Sequence, residues 1–135
     1  MRWARGQALV ELAVSSPVLV LLALGVAGVV QVEDAAAGLD AATHAAAGAA
    51  ARASDPASAG DAAHSRFDAV AAGYQLRGAS IDVSFGSFTR STEIVATSTA
   101  LVDVSWAGLV FPHRFALRSR AVTRLELWRT HRSVT

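Results

Sequence analysis

The sequence predicts an α+β protein anchored in a membrane: a long N-terminal transmembrane helix and stalk, then a second helix packed on a small antiparallel β-sheet. Three observations predict it. An apolar run without a charge extends from Leu12 to Val30. An alanine-rich tract follows over residues 35–53. Beyond residue 78 the apolar pattern changes from a helical period to strict alternation.

The apolar run constrains everything after it. As a helix rising about 1.5 Å per residue, Leu12 to Val30 spans roughly 28 Å, close to the ~30 Å hydrocarbon core of a bilayer. The expected span is residues 8–32. Arg2 and Arg5 precede it without an acid, whereas Glu33, Asp34 and Asp40 follow it before the next base, Arg52. The positive-inside rule then places the N-terminus in the cytoplasm and everything after about Val32 outside. A cleaved secretory signal is the alternative, with small residues at Ala35 to Ala37 suited to cleavage. The run is long for a signal core, however, and Glu11 lies on its apolar side.

Alanine has the highest helix propensity, so the membrane helix is expected to continue outward through residues 35–53 as a smooth stalk. Small side chains permit close helix approach without driving an ordinary core. Pro17 lies inside the run and is a place for the helix to kink, with Gly25 and Gly28 above it. Those two glycines are three apart, so they form no GxxxG motif.

Residues 54–60, SDPASAG, read as a linker, because Asp-Pro disfavours helix at Asp55. A second helix fits 61–77, with Phe67, Val70, Ala71 and Tyr74 on one face and Gly78 placed to end it. Ile81, Val83 and Phe85 then alternate with Asp82 and Ser84. Residues 94–99 are rich in strand formers, and Val102, Val104 and Trp106 alternate with Asp103 and Ser105. After Pro112 a last run places Phe115, Leu117, Ser119, Ala121, Thr123, Leu125 and Leu127 on one face. Three or four antiparallel strands result, with one face on the second helix. The expected plan is a leader (1–6), helix and stalk (7–53), linker (54–60) and extracytoplasmic head (61–135).

Composition narrows the chemistry. A chain of 135 residues has room for one span and one small head. Its net charge of +1 is too small to favour a nucleic-acid partner, and seven of its twelve arginines, from Arg90 onward, alternate with apolar residues as on a solvated strand face, a patch facing anionic lipid or a protein partner being the alternative. No cysteine is present, which excludes disulfides, thiolate metal sites and a cysteine nucleophile. His44, His64, His113 and His131 have no metal-ligand spacing, and no glycine-rich phosphate loop or nucleophile elbow occurs. Asp82, Glu93, Asp103 and Glu126 read as solvent-facing spacers. The expectation is a non-enzyme without cofactor or metal.

Glu11 is the exception. A carboxylate inside a membrane run costs about 2.5–3.5 kcal/mol at the centre and less near an end, where it can snorkel to the headgroups. Its setting is Gly6-Gln7-Ala8-Leu9-Val10-Glu11. This string resembles the processing site of type IV prepilins: a short basic leader ending in glycine, then an apolar helix with glutamate as its fifth residue. The fuller stretch RGQALVELAVSSPVLVLLALGV, with Pro17, is similar to the TadE-like family of pilus-assembly proteins from tight-adherence (Flp) systems. The likeness covers roughly residues 5–50, and Leu12 stands where many members carry an aromatic residue. It implies a minor pilin or pseudopilin in the cytoplasmic membrane, cut by a prepilin peptidase after Gly6 to leave Gln7 first. Glu11 would then neutralise a neighbouring subunit's new amino group, or serve recognition by the peptidase or the assembly platform. Other pilins and pseudopilins are the implied partners. An envelope domain, signal-anchored or secreted, with a binding role is the alternative function.

Overall fold

The computed structural model describes residues 2–88 and 92–125, with side chains from residue 6 onward. The expectations placed on Arg90, Glu126, Leu127, Arg129, His131 and Arg132 lie outside the described residues. Helix α1 (Arg2–Ala51) runs unbroken through Pro17, the alanine tract and both glycines of the run. It is long and apolar enough to cross a membrane. Its lower half is bare: Leu9, Val10, Leu12, Val14, Val18, Leu19, Val20, Leu21 and Leu22 are all exposed. Apolar side chains cover it on every side, as in a helix bound for lipid and unlike the one-sided stripe of a helix docked on a core.

The upper half of α1 differs. Ala35, Leu39, Ala42, Ala46, Ala47 and Ala50 are buried, so the expected stalk is one wall of the head's core. Alanine contributes little area singly, but it lets two other layers come close at once. Helix α2 (Pro56–Ala71) lies beside α1 and presents Ala59, Ala63, Phe67 and Ala71 to it. The sheet offers its own small residues, Ala96, Ala100 and Ala121, and larger side chains fill the seams: Phe67, Ile94, Val102, Val104 and Leu125. Full burial of a side chain such as Phe67 stabilises by about 1.5–3 kcal/mol, so these few residues carry most of the hydrophobic term.

Helix α1 ends in a tightened turn, with the Arg52 and Ala53 amides donating to the Ala49 and Ala50 carbonyls at 3.3 and 3.2 Å. The break expected over 54–60 is shorter, and α2 begins at Pro56 rather than 61. Asp55 is extended and caps the helix: its Oδ1 accepts the Ser58 amide at 2.9 Å, and Pro56 fills the first turn, where no amide donor is needed. Asp-Pro here starts a helix. At the other end α2 stops at Ala71, not 77, which leaves Tyr74 outside it. The Tyr74 ring instead lies on Gly38 of α1, where any Cβ would overlap it. Gly78 does not end the helix; it sits in β1 with φ +57° beside a register irregularity between Arg77 and Ser80.

The sheet has three antiparallel strands in the order β1-β2-β3: β1 (Arg77–Ser84), β2 (Glu93–Asp103) and β3 (Arg114–Arg124). The segments expected at 94–99 and 102–104 join into one strand. β2 and β3 pair without a break from Glu93↔Arg124 to Asp103↔Arg114. Trp106 leaves the alternation on a 3₁₀ turn (Ser105–Ala107) that begins where Asp103 Oδ1 accepts the Ser105 amide at 2.9 Å. The inward residues of β3, from Phe115 to Thr123, are those expected, and Leu125 just past its end is buried as well. Both helices lie on one face of the sheet. α1 crosses β2 and β3, and α2 reaches mainly β1, so the sheet rests more on α1 than on α2. The reason is the alanine face, which lets the sheet approach α1 directly.

Glu33, Asp34 and Asp40 lie on the exposed face of α1, and Arg114, Arg118, Arg120 and Arg124 on the uncovered face of β3. The pair between Arg124 and Glu93, at 3.9 Å and exposed, adds little to stability.

Two tests follow from the interior and the cap. The Thr43 hydroxyl donates to the Leu39 carbonyl at 2.7 Å, so the buried Ser98 hydroxyl donates to Thr43 Oγ1. Thr43→Val strands that proton and is expected to cost about 1–3 kcal/mol in denaturant unfolding, most of it recovered in the double change with Ser98→Ala. The Ser58 amide, the Ser58 hydroxyl and the Ser54 hydroxyl hold the Asp55 carboxyl below its ordinary 3.8. Its contribution to stability is therefore complete above that value and disappears as pH falls through the lower folded value. Asp55→Asn should flatten this part of an acid-unfolding curve; an unchanged slope would refute the assignment.

Candidate functional site

Two places on α1 concentrate the polar features of this chain. The first is the lower end, where Gly6, Gln7, Glu11 and Pro17 all lie on the one helix and all are exposed. Among the described residues, no atom of another element comes within 4 Å of where a Cβ at Gly6 would be. Gln7 and Glu11 are four residues apart and so share a face one turn apart. Glu11 has no ion-pair or hydrogen-bond partner among the described residues. Pro17 has no amide proton, which leaves the Ala13 carbonyl without its helical donor, although the helix itself continues. Among the described residues, no second element packs on any of these four positions.

The second place is the collar where the head meets the top of the apolar run. Gln31 is the one polar side chain between Pro17 and Glu33. Its Nε2 donates to the Asp103 carbonyl at 3.2 Å and to Gln75 Oε1 at 3.4 Å, and its Oε1 accepts the Trp106 indole N–H at 2.7 Å. Around it opens a cleft of about 500 Å³ lined by Gln31, Gln75, Leu76, Arg77, Asp103, Ser105 and Trp106. The Ser105 hydroxyl and amide hold the Asp103 carboxyl below the ordinary carboxylate range, with smaller help from Arg77 and Arg114. Asp103 is thus a capping group as well as a spacer. Below the collar the segment after the 3₁₀ turn lies along α1: Val110 reaches Gly25, and the Phe111 ring lies over Gly28.

Higher up, Ser119 Oγ donates to Asp40 Oδ1 at 2.7 Å, and His44 Nε2 is 3.8 Å from the same oxygen. His64 and His113 do not join them, and no three His, Asp or Glu side chains converge among the described residues.

The periodicities did not reveal the collar. Its one trace in the sequence is Gln31 itself, a hydrogen-bonding side chain at the upper edge of an otherwise apolar run. Arg77 and Trp106 stand far from it in sequence and meet it only through the sheet. No protein-family model, curated protein or solved structure matches the chain.

The contact at Gly28 is open to a direct test. A Cβ there would lie 2.6 Å from Phe111 Cε2. Gly28→Ala is expected to cost about 1–3 kcal/mol by overpacking, read as a lower Tm in detergent. Phe111→Leu in the same chain should restore most of it.

Proposed function

We propose that this chain is a TadE-like minor pilin or pseudopilin. It takes part in assembly of a tight-adherence, type IV-like (Flp) pilus, anchored in the cytoplasmic membrane with its head outside. One observation carries the reading: the prepilin-like segment Gly6 to Glu11 lies on the bare end of a helix whose other end is built into the head. Such a subunit presents its cleavage site and its carboxylate free of its own fold, while a neighbour that grips the helix also positions the head. A prepilin peptidase would meet the Gly6–Gln7 bond with none of the described residues of another element packed on it.

The bare, apolar lower half is also the surface through which other pilins, pseudopilins or the assembly platform would pack. In that setting Glu11 would meet the amino group of a neighbour's Gln7. A carboxylate alone in the bilayer is costly, and the pair removes that cost; loss of one partner of a buried pair costs about 3–5 kcal/mol. The alternative, a signal-anchored or secreted envelope domain with a binding role, requires for its secreted form a cut near Ala37. There α1 is unbroken, and Ala35 and Leu39 are buried in the head.

Intact-mass analysis of the membrane-extracted protein tests the reading. In cells with an active prepilin peptidase the mature chain is expected to begin at Gln7, and Gly6→Ala to keep the leader. Glu11→Gln should still be cut yet be recovered with pilus components at least about tenfold less, since a lost buried pair of ~3–5 kcal/mol exceeds that factor. Retention of Met1 in such cells, or an N-terminus near Ala37, would count against it.

A further inference from the structure

The head does not stop where the apolar run stops. Between Asp103 and Arg114 the sequence is VSWAGLVFPH, with no charged side chain apart from what His113 can carry. This segment descends along α1 past Gln31, so that Phe111 sits on Gly28 and Val110 reaches Gly25. The first charged residue on that side of the run is Glu33. Gly28 and Gly25 lie five and eight residues below it, about 7 and 12 Å along the helix axis. At that depth the segment leaves apolar side chains uncovered, Leu109 87% and Val110 43% exposed, while Trp106, beside Gln31 at the upper end, is 50% exposed.

A lone exposed leucine needs no explanation on a soluble domain. Here the exposed group is continuous with the bare apolar surface of α1, where Val26, Val29 and Val30 are also exposed. Both surfaces end at the same level. Trp106 and Gln31 mark it, with the indole N–H bonded to the glutamine and the polar cleft of Arg77 and Asp103 opening just above. An apolar tip below, a tryptophan at the boundary and polar side chains above is the layering of a membrane–water interface.

We propose that residues 105–112 are embedded in the head-side leaflet of the bilayer. Leu109 and Val110 lie among the acyl chains, and Trp106, Gln31 and the cleft lie at headgroup level. The partner is lipid, and the head lies on the membrane as well as being tethered to it. This rests on α1 crossing the bilayer, and it does not depend on pilus assembly.

The absence of cysteine allows a clean test on the full chain. Leu109→Cys, Val20→Cys and Ala57→Cys are each labelled with an environment-sensitive NBD group and reconstituted into phosphatidylcholine–phosphatidylglycerol vesicles. All three positions are exposed, so labelling leaves the core intact. The label at 109 should emit near the wavelength of the label at 20 and be quenched by lipids brominated on their acyl chains. Iodide should quench it roughly fivefold less than the label at 57, because water and ions are excluded from the hydrocarbon. A label at 109 as open to iodide as that at 57 overturns the proposal, since the head then stands clear of the membrane. Shielding from both quenchers also overturns it, because a second copy or another protein then covers the loop. If the label at 20 also escapes the brominated lipids, the membrane span itself fails, a result distinct from failure of the loop alone.

Discussion

The fold depends on how closely two layers can approach one helix. Along the inward side of upper α1 the residues are alanine, glycine, Thr43 and a single large side chain, Leu39. This thin face lets α2 settle on one flank and β2 and β3 on another, and the larger side chains that close the core come from those partners. Phe67 enters from α2, Ile94 and Val102 from β2, and Tyr74 from the connection, where it takes the space that Gly38 leaves. A medium-sized residue at Ala42, Ala46 or Ala50, each wholly buried, would part the layers before it added useful area.

The alternation after residue 78 identified the strands and their inward faces, down to Phe115, Leu117, Ser119 and Ala121 on β3, because a period of two admits one burial pattern against a single covered face. The apolar run was equally legible, since length and lack of charge are local properties. The role of the alanine tract was not. Alanine carries almost no periodic signal of its own, so a stalk in solvent and a helix at the centre of a core read alike. Asp55-Pro56 misled for a different reason: the same dipeptide ends a helix before it and caps one after it, and only the Ser58 partner separates the two. Gly6, Gln7, Glu11 and Pro17 were visible as a linear string. The collar around Gln31 was not, because its members come from α1, the α2–β1 connection, the start of β1, the end of β2 and the 3₁₀ turn after it.

The two halves of α1 also differ in the surface they present. The lower half has apolar groups on every side and, among the described residues, meets the rest of the fold only near its top, where Val110 and Phe111 lie on Gly25 and Gly28. The upper half has small groups on the inward side and Glu33, Asp34, Asp40 and His44 outward. The change occurs at Gln31, whose side chain joins α1 to the Asp103 carbonyl and to Trp106. A polar side chain at that level satisfies backbone and indole groups that would otherwise face the edge of the apolar zone.

Because α1 is unbroken from the collar to Ala51, the head has no joint of its own. From Gln31 to Ala51 is 51 − 31 = 20 residues, a lever arm of about 30 Å. Any tilt that the lower helix adopts to match the thickness of its surroundings is delivered undiminished to the far end, where about 10° becomes about 5 Å of sideways travel. The helix thus works as a pointer whose dial is the position of the head, and a change in what surrounds its base is readable at its tip.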